Sequence, residues 1–367
     1  MTDNSNKPSL TLSYEQANLI NDLRILMSRA AYLTRFYIVE SVTGVGNREA
    51  TYNEILRIPL EMNKLIRAAV PDFKGDIAPI TFTYLAGMKS VIDGMTSKDE
   101  AKASESIQNL YDISNQNAKY LAQLSPYWDE NTWRDLFYRY NRDVVAEVLA
   151  ILTGDYNQAL DIFEGLMQTA LEISDYFAEG LVHLLPESQN EISLAYFNMV
   201  KDFRQIGMEW AYLTRFYMVA KIVGLGDERD VTQRFYRLIL RIKEKIELIL
   251  GTEIANNFSN SMMLYVIKFE GLIDAILSED QASIENNLDA VNQFDNQLSA
   301  FLSSVNPFWD EEKWIGIFNA FVEQLIVQSN NLNKKEYVEA INNFEKLLYA
   351  TLAISDYFAL GLYQYTR

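Results

Sequence analysis

The sequence predicts an all-α protein built as two tandem up-and-down helical bundles that are related by internal duplication. Three observations support this prediction. Apolar residues recur at helical spacing, alternating Val/Ile/Thr-rich runs bounded by turns are not seen, and a long stretch of sequence returns about 180 residues later. With 367 residues, of which 49% are hydrophobic, the chain can form two sizeable cores.

The internal repeat is clearest in three pairs of segments. They are Ala31–Tyr37 with Ala211–Tyr217, Pro126–Glu130 with Pro307–Glu311, and Ile173–Ala178 with Ile354–Ala359. The offset is 180 residues for the first pair and 181 for the other two. Because this period far exceeds that of solenoid repeats, each copy should be a domain with its own core. We predict domains at 1–187 and 188–367, where Pro186 ends one helix and Ser188 with Glu191 forms a capping box that opens the next.

The spacing in the first copy predicts six helices. They lie near residues 14–43, 48–69, 76–95, 98–123, 130–152 and 156–184. Gly44 supplies the left-handed conformation that ends the first helix, and Ser97 with Glu100 predicts a capping box. Pro59 should end or kink the second helix, whereas the second copy has helix formers around Lys243 and should be straighter there. Short connections predict antiparallel neighbours.

The composition excludes several kinds of partner and site. The formal charge of −18 disfavours nucleic acid and anionic membranes, and with no cysteine and one histidine, His183, we expect no disulfide, no metal and no cofactor. Residues 1–13 lack the pattern of an export signal, so we expect a cytoplasmic location. The longest apolar run, Leu347–Tyr363, contains Asp356 and is a poor candidate for a membrane span.

Two tryptophans five residues apart follow a proline in each copy. These are Trp128 and Trp133, and Trp309 and Trp314. If Asp129 caps the helix, its two tryptophans occupy the positions that form a hydrophobic staple at a helix start. Asp310 has the same place in the second copy. We predict helix-start staples; the alternative is an aromatic ligand platform.

Glycine pairs and the lone histidine have ordinary structural explanations. Gly44 and Gly46, like Gly224 and Gly226, follow no predicted strand and lack the third glycine of a dinucleotide fingerprint, so they should be helix caps. His183, near the end of its helix, should be a surface residue and not a general base.

One arginine and one aspartate in each copy lie in otherwise apolar helices. They are Arg35 and Asp175, and Arg215 and Asp356. A helix that is apolar all round is buried, and a buried charge needs a partner. We therefore predict that Arg35 pairs with Asp175, and that Arg215 pairs with Asp356. Each pair could set the helix register, or alternatively line a charged ligand pocket.

The last helices of the two copies differ on one face. In the first copy this face carries Gln168, Glu172, Asp175 and Glu179, and in the second it carries Tyr349, Ala353, Asp356 and Leu360. An apolar strip is rarely left in water. We predict that Tyr349, Ala353 and Leu360 form an interface, with the first domain or with a second chain.

Three short motifs occur in both copies. They are Leu33–Arg35 and Leu213–Arg215, Ser125–Trp128 and Asn306–Trp309, and Ser174–Asp175 and Ser355–Asp356. They resemble the Trp-Thr-Arg, Asn-Pro-Tyr-Trp and late Ala-Asp motifs of uncharacterised bacterial helical-bundle proteins that often carry a misleading acetylglutamate kinase label. That family's pattern places histidines at positions that here hold Ala30, Met88 and Tyr140, and Trp210, Phe269 and Phe321. The resemblance implies a helical bundle without a metal site at these positions, and nothing in this all-helical chain resembles a kinase.

The sequence leaves two functional hypotheses of different classes. The first is a non-catalytic structural or protein-interaction protein, which would bind a protein partner or self-associate. The second is a small-molecule-binding bundle with its ligand near the interior Arg–Asp pairs. A hydrolase or transferase would have to rely on carboxylates alone, and no motif supports one. A cavity beside the Arg–Asp pairs would favour the second hypothesis.

Overall fold

The computed structural model describes residues 11–97, 99–185 and 190–367. Nearly all of these residues are helical, which confirms the predicted all-α class. The chain divides into two compact units, residues 1–193 (unit 1) and 194–367 (unit 2). Two residues of the predicted junction, Pro186 and Ser188, lie outside the described residues. No helix in the described part is both long and apolar enough to cross a membrane.

The helices lie close to their predicted positions. Unit 1 comprises β1 (Thr11–Ser13), α1 (Tyr14–Thr43), α2 (Arg48–Ile55), α3 (Ile58–Ala69), α4 (Ala78–Thr96), α5 (Glu100–Ala122), α6 (Glu130–Leu152), α7 (Tyr156–Val182) and β2 (Glu191–Ser193). Unit 2 comprises α8 (Leu194–Val223), α9 (Glu228–Leu250), α10 (Thr252–Leu277), α11 (Gln281–Val305), α12 (Glu311–Asn333) and α13 (Tyr337–Tyr365).

Within each unit the helices pack in chain order and close into a ring. In unit 2, each helix from α8 to α12 packs against the next, and α13 packs against α8. Unit 1 follows the same order, with α2 and α3 in the place of α9, and α7 closes the ring on α1. Because the connections are short, consecutive helices run antiparallel, as in an up-and-down bundle. The apolar faces meet inside each ring.

Proline explains the main difference between the two rings. The helix predicted at 48–69 is interrupted between α2 and α3, and Pro59 lies in the first turn of α3, where its missing N–H is not needed. Unit 2 has Ile239 at the matching position, and α9 runs there without a break. Gly44 and Gly224 lie after α1 and α8 with φ of 71° and 70°, the left-handed geometry expected of helix caps.

Two predicted capping boxes are wrong. Ser97 belongs to the end of α4, and α5 is capped by Asp99, whose carboxylate accepts a hydrogen bond from the Lys102 N–H at 3.1 Å. Asp99 directly precedes the first helical residue, so it reaches the free N–H groups that Ser97 cannot. Glu191 does not cap a helix either, because it lies in β2.

A two-stranded sheet was not predicted. Glu191, Ile192 and Ser193 pair antiparallel with β1, and α8 begins one residue later. Strands of three residues are too short to show an alternating pattern in the sequence. The pairing places residues 191–193 in unit 1 and moves the boundary beyond residue 187.

Candidate functional site

The predicted pairing of Arg35 with Asp175 is wrong. Arg35 instead donates a hydrogen bond to Glu147 of α6 at 2.5 Å and another to the Ala159 carbonyl at 3.3 Å. The Arg35 side chain is 5% exposed and that of Glu147 is fully buried. Asp175 pairs with Arg24 at 2.5 Å, and 47% of its side chain is exposed. Of these two ion pairs, that of Arg35 and Glu147 is buried and that of Arg24 and Asp175 lies near the surface.

The second predicted pair, Arg215 with Asp356, is also wrong. Arg215 donates to the Gln328 side-chain carbonyl at 3.2 Å and to the Ala340 carbonyl at 3.3 Å. Asp356 accepts two hydrogen bonds from Arg204, at 2.6 and 2.8 Å, and its side chain is 40% exposed. The long apolar stretch of α13 is therefore not buried on all sides.

Both predictions are wrong because the residues predicted to pair lie at different levels along two neighbouring antiparallel helices. Arg35 of α1 lies level with Ala159, near the start of α7, whereas Asp175 is 16 residues further along α7. At 1.5 Å per residue this is a separation of about 24 Å. The sequence pattern identified the face of each helix but not the level at which two helices meet.

Glu147 was missed because its counterpart 181 residues later, Gln328, is not a carboxylate. The two arginines nevertheless have similar surroundings. Arg35 lies over the Phe163 ring at 5.3 Å, and Arg215 lies over the Phe344 ring at 5.6 Å. Burial raises the pKa of Glu147 to about 7, and Arg35 opposes this rise. A charged ligand pocket, the alternative to a structural ion pair, would lie beside these arginines, where the rings of Phe163 and Phe344 occupy space.

Cavities are present at another place in both units. Unit 1 encloses a cavity of about 80 Å³ between α1 and the helices from α3 to α7. Its wall includes Met27, Ala30, Met62, Tyr84, Met88 and Tyr140. Three of these, Ala30, Met88 and Tyr140, are positions at which the sequence predicts no metal site. None of Arg35, Asp175, Arg215 and Asp356 lines this cavity or the one in unit 2.

Unit 2 encloses a cavity of about 70 Å³ at the matching place. Twelve of its sixteen lining residues match, at the offset of 180 or 181, residues that line the unit 1 cavity. The matched pairs include Ala30 with Trp210, Tyr84 with Tyr265, and Tyr140 with Phe321. Most matched positions carry different side chains. The two cavities therefore lie at the same place in their units but are lined by different side chains.

One cause of the difference between the two cavities is the replacement of a small side chain by a large ring. Trp210 stands where unit 1 has Ala30, and its ring lies 4.9 Å from that of Phe235 and 5.9 Å from that of Phe269. These rings fill the region that is open beside Met88 in unit 1. One turn earlier in α8, Gly207 lines the unit 2 cavity where the longer side chain of Met27 lines that of unit 1.

The tryptophans form the contacts that a hydrophobic staple requires. Asp129 and Asp310 cap α6 and α12. The ring centroids of Trp128 and Trp133 lie 5.7 Å apart, and those of Trp309 and Trp314 lie 5.8 Å apart. All four indoles are buried, and Trp133 also lines the unit 1 cavity.

The spacing around Trp128, which is repeated around Trp309, also involves α7. Its indole N–H donates to the Tyr176 carbonyl at 3.0 Å, and the Asp129 N–H donates to the Tyr176 hydroxyl at 2.5 Å. Gly180 lies directly under the indole, so that a Cβ atom there would be 2.0 Å from the ring nitrogen. Unit 2 repeats this arrangement. Its residues are Trp309, Asp310, Tyr357 and Gly361.

The remaining candidates lie at the surface. His183 is exposed and stacks on the Tyr127 ring at 4.1 Å between centroids. Tyr349 is 54% exposed, Ala353 is exposed and Leu360 is partly exposed. The described residues contain no group of three or more His, Cys, Asp or Glu side chains that could hold a metal ion.

Comparisons of the chain with protein-family models, curated proteins and solved structures find no match.

Proposed function

We propose that this protein is a non-catalytic binding protein, in which each unit takes up a small apolar molecule in the cavity between its helices. The recurrence of the cavity at matching positions in two units with different side chains carries this proposal. An unfilled cavity of 80 Å³ costs roughly 2 kcal/mol of stability, at about 24 cal/mol per Å³. A bound ligand offsets this cost.

The cavity walls suit a small apolar ligand. Both walls are composed mainly of aromatic, methionine and aliphatic side chains. Their volumes are about half of the 150 Å³ of an engineered cavity that holds benzene. In unit 1, the flexible side chains of Met27, Met62 and Met88 allow the wall to adjust to a larger guest.

The chemistry of the walls favours binding over catalysis. Among the described residues that line the two cavities, none is Asp, Glu, Lys, Arg or His. General acid–base catalysis needs such a group within hydrogen-bond reach of the reacting atoms.

The absence of cysteine and the acidic composition further support a cytoplasmic location.

Titration calorimetry with toluene tests this proposal. We expect two toluene molecules to bind per chain and the melting temperature to rise. Ala30→Phe should fill the unit 1 cavity, because the added ring enters it and unit 1 has the long side chain of Met27 where unit 2 has Gly207, and the stoichiometry should fall to one. Ala86→Phe, an equal change at an exposed position of α4, should leave the stoichiometry at two. A wild-type chain that neither binds toluene nor gains stability from it contradicts the proposal.

A second function, self-association, is supported by the exposed face of α13. Tyr349, Ala353 and Leu360 expose apolar surface where the matching positions of α7 carry polar side chains. The same face of a second copy supplies a complementary apolar surface. This proposal keeps the predicted interface and is compatible with ligand binding inside the units.

A further inference from the structure

Beside the unit 1 cavity, three polar side chains form a hydrogen-bond network in which each has a partner. The Tyr84 hydroxyl donates to the Asn141 side-chain carbonyl at 2.6 Å, and the Asn141 amide donates to the Ser114 hydroxyl at 2.8 Å. The Ser114 hydroxyl in turn donates to the Leu110 carbonyl at 2.8 Å. All of these groups are neutral, and each has a partner within unit 1.

The same three positions in unit 2 hold a different set of groups. Tyr265 matches Tyr84, but Asp295 replaces Ser114 and Val322 replaces Asn141. Asp295 is 1% exposed and Tyr265 is 3% exposed. Within the described residues, neither carboxylate oxygen of Asp295 nor the Tyr265 hydroxyl makes a hydrogen bond of normal geometry. A buried carboxylate without a well-made hydrogen bond is unfavourable, and the neighbouring Tyr265 hydroxyl offers one donor for its two oxygens.

The buried carboxylate lies next to the unit 2 cavity. Tyr265 lines the cavity wall. Asp295 is on the same face of α11 as Leu298 and Leu302, which also line the wall, because these residues are three and seven positions apart. The rest of the wall is rich in aromatic rings. They belong to Phe203, Trp210, Phe258, Phe318, Phe321 and Phe358.

We propose that the unit 2 cavity binds a small protonated alkylamine, whose ammonium group is held by Asp295 and Tyr265 and whose alkyl group packs against the aromatic rings. The proposal rests on the proposed binding function of the cavities and, for unit 2, adds a charged ammonium group to the apolar ligand. An ammonium supplies three donors to the carboxylate oxygens of Asp295 and the hydroxyl oxygen of Tyr265, and aromatic faces attract cations. Unit 1, with its neutral and complete network, takes an uncharged apolar guest.

Protonation supplies a second signature of this site. Burial raises the pKa of Asp295 to about 7, and the neighbouring Tyr265 hydroxyl opposes this rise. A cation bound beside Asp295 favours its charged form. Amine binding at pH 7 should therefore release protons, which calorimetry in two buffers of different ionisation enthalpy detects.

The test compares isobutylamine with its neutral isostere isobutanol in the Ala30→Phe chain, in which the unit 1 cavity is filled. We expect isobutylamine to bind at least tenfold more tightly than isobutanol. Asp295→Asn should reduce this preference to less than twofold while isobutanol still binds. The double variant Asp295→Ser, Val322→Asn rebuilds the unit 1 network in unit 2 and should also remove the preference, so the result does not depend on the folding of one variant.

The outcomes separate the two proposals. Equal binding of amine and alcohol, or a preference that survives both sets of substitutions, overturns the assignment of an amine but leaves the proposed binding function intact. If the chain binds neither isobutanol nor toluene, the proposed function itself is wrong.

Discussion

At the scale of single residues, close approach between helices explains why glycine recurs in both copies of one motif. Gly180 and Gly361 each lie under a tryptophan indole, where a Cβ atom would come within 2.0 Å of the ring. The sequence showed the repetition but not its cause, because the tryptophan lies more than fifty residues earlier in the chain. A contact between distant segments cannot be inferred from the local pattern.

We expect Gly180→Ala to lower the free energy of unfolding by roughly 1–3 kcal/mol, because the added methyl group overpacks the Trp128 site. Gly165→Ala is a matched control in the same helix. Gly165 is exposed and has no heavy atom near the new methyl group, so this change should stabilise the chain by roughly 0.5–1 kcal/mol. Urea denaturation measures both values, and equal effects at the two glycines would contradict the packing argument.

The buried Glu147 should make the stability of unit 1 depend on pH. Its pKa is raised from 4.5 in the unfolded chain to about 7, so the folded state holds the proton more tightly. This contribution to stability is fully present below about pH 4.5 and is lost as the pH rises through 7. Relative to Glu147→Gln, the wild type should lose on the order of 2–3 kcal/mol between pH 5 and 8, since one pKa unit is about 1.4 kcal/mol.

Urea denaturation at several pH values provides the measurement. Glutamine is a suitable replacement because Gln328 occupies the matching position in unit 2 and bonds to Arg215. Stability curves that stay parallel from pH 5 to pH 8 would show that Glu147 does not titrate in this range.

At the scale of helices, the sequence predicts well where each helix begins and ends, but poorly which side chains pair between two helices. The helical periodicity and the effect of Pro59 were correctly inferred because they depend on residues within a few turns of one another. The partners of Arg35 and Arg215 were not, since they depend on how far one helix is displaced along its neighbour. The cavities were missed for a related reason: a void is defined by six helices together and by no segment alone.

Double-mutant cycles test the corrected helix register in unit 2. Arg215→Ala and Gln328→Ala should show a coupling of about 1 kcal/mol, because the two side chains share a hydrogen bond. Arg215→Ala and Asp356→Ala should be additive to within about 0.5 kcal/mol, since their contacts lie several turns apart. Stability measured by urea denaturation gives both couplings. A larger coupling to Asp356 than to Gln328 would restore the original pairing.

At the scale of the whole molecule, the two units share an architecture and differ in what their surfaces and interiors offer. The face of α13 that holds Tyr349 and Leu360 is apolar, whereas the corresponding face of α7 holds Glu172 and Glu179. This contrast could be predicted from the sequence, because the two faces differ in their apolar and charged residues. The burial of Asp295, which replaces Ser114, could not be predicted from the sequence, because a single aspartate in a helix is normally exposed.

We expect the chain to dimerise in a concentration-dependent way and Leu360→Glu to weaken the dimer at least tenfold. A charge placed in an apolar contact loses its hydration without gaining a partner. Glu179→Leu, the opposite change at the matching position of α7, should leave association unchanged or promote it. Sedimentation velocity over a range of concentrations distinguishes these outcomes, and a wild type that stays monomeric throughout excludes the interface.

Closure of the ring in unit 2 brings its first and last turns together. Tyr196 at the start of α8 and Tyr363 near the end of α13 lie with ring centroids 4.8 Å apart. A unit whose two ends meet at one pole can be circularly permuted, because a short linker can join α13 to α8 and new ends can open in an exposed loop such as that at Gly251. The order of the helices around the ring, and not the point at which the chain is cut, then specifies the fold.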